Sequence, residues 1–63
     1  MITENQLRAL DFEYNDLTCL WEFKDITVWI AEDDQEVYLG NFELFGINDH
    51  RDLSKFIKLV YGE

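Results

Sequence analysis

The sequence predicts an α+β fold in the order α-β-β-β-α, and three observations carry that expectation. Residues 3–6 have the spacing of a helix-capping box, residues 17–31 place apolar side chains at every second position, and residues 53–60 place them at helical spacing.

Thr3 is a good N-cap, Gln6 stands at the third helical position, and Ile2 and Leu7 lie where a hydrophobic staple would close over the cap. A short helix over residues 4–10 follows. From Phe12 the period changes to two. Leu17, Cys19, Trp21 and Phe23 alternate with Thr18, Leu20 and Glu22, and Ile26, Val28 and Ile30 alternate with Thr27 and Trp29. Lys24-Asp25 between the two runs has the length of a two-residue hairpin loop. Glu32-Asp33-Asp34-Gln35-Glu36 is too charged for a sheet interior and reads as a second reversal, after which Val37-Tyr38-Leu39 resumes the strand pattern. Asp49 can cap a final helix in which Leu53, Phe56, Ile57 and Val60 recur on one face, with Gly62 at its end. The expected sheet is a three-stranded antiparallel meander at 17–23, 26–31 and 36–40. Residues 12–14 or 42–45 offer a short fourth strand, and Asn41–Gly46 fits either a strand extension or a packed loop.

A loop at Lys24-Asp25 sets Trp21 opposite Val28 and Cys19 opposite Ile30; a turn centred between Asp33 and Asp34 sets Val37 opposite Ile30 and Leu39 opposite Val28. One face is then apolar, and the helix at 50–61 belongs across Trp21, Val28 and Leu39. The same registers line up Leu20, Trp29 and Tyr38 in one row across the other face, flanked by Glu22, Thr27, Ala31 and Glu36.

The chain has 63 residues, enough for a single small domain over 1–63 with a modest core. At 48% hydrophobic and 16% aromatic it is too apolar for a disordered tail. One cysteine cannot form an internal disulfide, and one cysteine with one histidine cannot build a structural zinc site. No apolar run approaches a membrane span, and Met1-Ile2-Thr3-Glu4 lacks the features of a secretory signal, so a cytoplasmic protein is expected. With 14 acidic against 5 basic residues the net charge is −9, which repels DNA and RNA.

Enzymatic chemistry finds no support in the residues. Cys19 is expected to face the core and His50 to stand at a helix start, which separates the potential nucleophile from its base. Gly40, Gly46 and Gly62 form no phosphate loop. The acidic run at 32–36 is contiguous where a calcium loop needs alternating ligands, a glycine and a distant glutamate, so no metal or cofactor is expected.

The spacings T-x-x-Q-L-x-x-L-x-F (Thr3–Phe12), W-x-F (Trp21–Phe23), W-I (Trp29-Ile30), Y-L-G-N-F (Tyr38–Phe42) and D-L-x-K-F-I-K-L-V (Asp52–Val60) resemble those of small proteins of phages and mobile elements. The resemblance covers most of the chain, contains no catalytic signature, and has Asp11 where a glycine would more naturally end the first helix. It implies a phage-like setting, in which small acidic proteins often bind and block a host protein.

The net charge is unevenly placed. Residues 1–47 hold 11 acidic and 2 basic side chains, whereas in 48–63 Asp49, Asp52 and Glu63 balance Arg51, Lys55 and Lys58. The functional expectation is therefore a protein-binding module that docks on a basic, nucleic-acid-binding type of surface. Leu20, Trp29 and Tyr38 would be its apolar anchors, with Glu22, Glu36 and the hairpin-tip acids Glu32, Asp33 and Asp34 as its charged rim. The alternative is a structural or accessory protein in which the aromatic row meets its own copy in a homodimer.

Overall fold

A computed structural model of the chain describes residues 1–62. Helix α1 (Glu4–Ala9) is followed by β1 (Glu13–Asn15), β2 (Leu20–Phe23), β3 (Ile26–Ile30), β4 (Gln35–Leu39), β5 (Phe42–Leu44) and helix α2 (His50–Tyr61). The five strands form one antiparallel meander in chain order. The fold is α+β with a helix at each end, and both 13–15 and 42–44 pair, so the sheet has five strands where three or four were expected.

The capping box is formed. Thr3 Oγ1 accepts the Gln6 backbone N–H, and Gln6 Oε1 accepts the Thr3 backbone N–H. At the other end of α1 the Asp11 N–H donates to Arg8 O and the Phe12 N–H to Leu7 O, a Schellman closure with Asp11 in the left-handed region at φ 70°. Phe12 and Leu7 are both buried, which supplies the apolar contact that accompanies this motif. Helix α2 starts at Asp49, whose carboxylate accepts the N–H groups of Arg51 and Asp52, and ends at Gly62 with φ 73°. The hydrogen bonds from Asp52 and Arg51 hold the Asp49 carboxyl below its ordinary pKa.

Four reversals set the sheet. Asp16–Cys19 make the first, with the Cys19 N–H donating to Asn15 O and Cys19 at φ 61°. This corrects the expected strand start at residue 17. Asn15 closes the loop with its own backbone carbonyl and side chain, Leu17 points into solvent at the tip, and Cys19 is exposed instead of facing the core opposite Ile30. Lys24-Asp25 is the expected two-residue loop, with Lys24 at φ 53°. Tyr61 holds it from α2, because its hydroxyl accepts the Asp25 N–H at 3.2 Å while the Lys24 ammonium lies 4.6 Å from its ring centre. Gly40-Asn41 is the β4–β5 loop, with Gly40 at φ 60° where a primed turn needs it.

The β3–β4 turn is centred between Glu32 and Asp33, one position earlier than expected. The Ala31 N–H donates to Asp34 O, Ile30 pairs with Gln35, Val28 with Val37 and Ile26 with Leu39. The strand thus takes in Gln35 and Glu36, and every β3–β4 pair is displaced by two residues. Gln35 explains the choice. Its Oε1 accepts the Ile2 N–H at 2.8 Å and its Nε2 donates to Asn48 O at 2.8 Å, so a polar side chain on the core side of the sheet is satisfied by backbone from both ends of the chain.

Both helices lie on one face of the sheet. Leu7 of α1 and Leu53 and Ile57 of α2 join Ile2, Phe12, Trp21, Ile26, Val28 and Val37 in a single core. Among the described residues, no charged or polar residue is buried.

Two outcomes follow. Gln35→Met, which keeps the volume and loses the carboxamide, should lower stability by about 1–3 kcal/mol in denaturant unfolding, because it strands backbone groups near Ile2 and Asn48. Asp11→Gly should raise it by about 0.5–1 kcal/mol, since glycine adopts the left-handed conformation at no steric cost.

Candidate protein interface

With the core on one side, the outward positions of the strands are Glu13 and Asn15 on β1, Leu20 and Glu22 on β2, Thr27 and Trp29 on β3, Glu36 and Tyr38 on β4, and Glu43 on β5. Neither helix contributes its buried side chains to this face, and none of these positions is basic. Leu20, Glu22, Thr27, Trp29, Glu36 and Tyr38 are all half-buried.

The displaced register rearranges the expected row. Trp29 pairs with Glu36, and Tyr38 lies between Thr27 and Glu43. A shift by an even number of residues keeps each side chain on its face, so Leu20, Trp29 and Tyr38 still share the outer surface. They no longer form a straight row; Tyr38 is diagonal to Trp29. Glu36 reaches back along its own strand, accepting a 2.8 Å hydrogen bond from the Tyr38 hydroxyl. That bond, followed by partial burial and by the charges of Glu36 and Glu43, raises the Tyr38 pKa above its ordinary 10.0. Glu13 and Glu22 stand directly opposite each other, an arrangement of like charges that works against pairing. The Asn15 amide, 3.4 Å from Glu22 Oε2, is a neutral donor to one of them.

The hairpin-tip acids divide in role. Glu32 and Asp33 occupy the apex and are exposed. Asp34 is exposed too, but its carboxylate accepts the Gln35 N–H at 2.8 Å and so helps to start β4.

A second feature was not anticipated from the sequence. The pairing of β2 with β3 stops at Trp21 and Val28, since the left-handed turn at Cys19 takes β2 away from Trp29 and Ile30. Where the strands part there is a cleft of about 450 Å³, lined by Glu4 and Arg8 of α1, Tyr14, Cys19, Trp21 and Trp29. Arg8 lies over the Trp21 ring, 5.1 Å from its centre, and is 3.7 Å from the Glu4 carboxylate. Tyr14 packs against the same indole at 5.2 Å between ring centres. Its hydroxyl pKa is raised first by a hydrogen bond with Cys19, then by partial burial and by the nearby charges of Cys19, Asp16 and Glu4. The i,i+4 spacing of Glu4 and Arg8 was visible in the sequence; their meeting with Trp21 and Trp29 depends on the strand separation.

Among the described residues, no group of three or more His, Cys, Asp or Glu side chains is arranged to hold a metal ion, and no helix is long and apolar enough to cross a membrane. Comparison with protein-family models, with curated proteins and with solved structures gives no match.

A spectrophotometric titration should find Tyr14 and Tyr38 ionising above 10.0, because acceptors and negative charge beside each favour the protonated phenol. Glu36→Gln should bring Tyr38 back toward that value and leave Tyr14 unchanged; equal movement of both would contradict the local cause.

Proposed function

We propose that the protein is a small acidic protein-binding module whose outer sheet face docks on a basic surface of another protein, acting by binding and not by catalysis. The observation that carries this reading is the uncovered outer face, which sets Trp29 and Tyr38 among Glu13, Glu22, Glu36 and Glu43 with no basic side chain between them. Indole and phenol rings can anchor an interface through desolvation, while surrounding carboxylates select the sign of the partner and speed encounter. Facing like charges such as Glu13 and Glu22 are relieved by a partner's cations, so docking removes an unfavourable contact as it forms favourable ones.

The partner surface that suits this pattern is one that otherwise receives phosphates. The resemblance to small phage proteins extends the reading to a phage-encoded inhibitor that occupies such a surface in the host cytoplasm.

The reading is tested on a partner recovered from host lysate, by binding kinetics at several salt concentrations. Trp29→Ala should weaken binding by about 2 kcal/mol or more, mainly through faster dissociation. Neutralising Asp33 and Asp34, or Glu22 and Glu36, should slow association and flatten its salt dependence. Folded variants that all bind as the parent does would reduce the aromatics to packing and the acids to solubility. A sedimentation-detected dimer that Trp29→Ala dissociates would assign the face to a second copy of the chain instead.

A further inference from the structure

We infer that the cleft between α1 and the parting ends of β2 and β3 is a receptor for one arginine side chain of the partner, and that Arg8 holds its place in the free protein. The inference rests on the basic-partner reading above and names the group that such a partner inserts.

The geometry already displays the chemistry. The Arg8 guanidinium sits over the Trp21 ring and beside Glu4, which is a flat aromatic face plus a carboxylate, the pair of features that best accommodates a planar cation. Tyr14 adds a second aromatic wall, its ring centre 5.2 Å from that of Trp21. Arg8 is bound there only loosely. Its side chain is 58% exposed, its partner Glu4 is 61% exposed, and an exposed i,i+4 ion pair contributes little stability. From the same position Arg8 also donates to Asn5 Oδ1 at 3.3 Å.

A cation suits the cleft better than an anion. Arg8 is the one basic side chain among its lining residues, and Glu4 already compensates it. The charges that bear on the Tyr14 hydroxyl, from Asp16 and Glu4, are negative. Once Arg8 swings out, the cleft keeps its aromatic walls and a net negative charge. Trp29 is a lining residue of the cleft whose side chain stands outward on β3 opposite Glu36, so the cleft adjoins the docking face.

The probe is N-acetyl-arginine amide, titrated into the ¹⁵N-labelled protein while the two indole N–H signals are followed by NMR. N-acetyl-citrulline amide, of nearly the same shape without the charge, is the control. The arginine derivative should shift the Trp21 indole signal saturably at millimolar concentration and the outward Trp29 indole less, and citrulline should shift neither. Arg8→Gln should tighten the arginine complex several-fold by removing the competitor, and Glu4→Gln should weaken it. Both are surface substitutions that leave the core intact. Equal shifts with citrulline, shifts spread evenly to Asp33 and Asp34, or an Arg8→Gln protein that binds no more tightly would overturn the inference. The docking reading is judged separately, by the kinetics of Glu22 and Glu36 variants toward the whole partner, because neither side chain lines the cleft.

Discussion

Everything in this molecule depends on how little helix there is to cover a five-stranded sheet. The helices are 6 and 12 residues long, and both place their apolar stripes on the same side. A chain of this size gains most by concentrating its buried surface in one core, because two thin cores would each leave a larger share of apolar area in water. The fully buried side chains bear this out: Leu7 comes from α1, Leu53 from α2, and Ile26 and Val28 from the central strand between them. The opposite face is consequently open, and its character is decided by side chains that the core does not need. That they are indole, phenol and carboxylate is the ground of the docking proposal.

Polar anchoring then determines the details that burial leaves undecided. Apolar alternation accepts the β3–β4 hairpin in either of two registers, because a shift by two residues keeps Val28, Val37 and Leu39 on the core side. The choice falls to Gln35, which is opposite Ile30 only in the observed register and there meets Ile2 and Asn48. These partners are 33 and 13 residues away in sequence, so no local pattern reveals them. The two helices and the Lys24-Asp25 turn were legible because each is specified by neighbours: a capping box, an Asp N-cap, and an interval of two between alternating runs. The start of β2 was not. Leu17 and Cys19 continue the alternation in sequence, but the Asn15 carbonyl and carboxamide capture the loop backbone first, and alternation alone carries no information about that competition.

The candidate site divides in the same way. Which residues share the outer face depends only on parity, and Leu20, Glu22, Trp29, Glu36 and Tyr38 were legible for that reason. Their mutual arrangement depends on register, so Trp29 meets Glu36 and Tyr38 meets Thr27. The cleft needs still more: α1 must come over Trp21 while β2 leaves β3 at Cys19. It draws on four successive elements that meet only through tertiary packing, and its one local trace is the Glu4–Arg8 spacing.

On the proposed docking role, the spacing of the acids refines the partner that the face would suit. Strands lie ~4.8 Å apart, so Glu13 and Glu22 on neighbouring strands act as one charge cluster, and the row from β1 to β5 spans about 19 Å. The Debye length at physiological salt is ~8 Å, so the cluster on β1 and β2 is largely screened from Glu43 on β5. The face therefore presents two acidic regions, Glu13 with Glu22 on one side and Glu36 with Glu43 on the other. Thr27 and the two half-buried rings of Trp29 and Tyr38 lie between or beside them. A partner with a single concentrated basic spot would satisfy one region and leave the other unpaired against its apolar surroundings. One with two basic groups separated by an apolar patch would satisfy both while drying the rings, which is the arrangement in which desolvation and charge pairing reinforce each other.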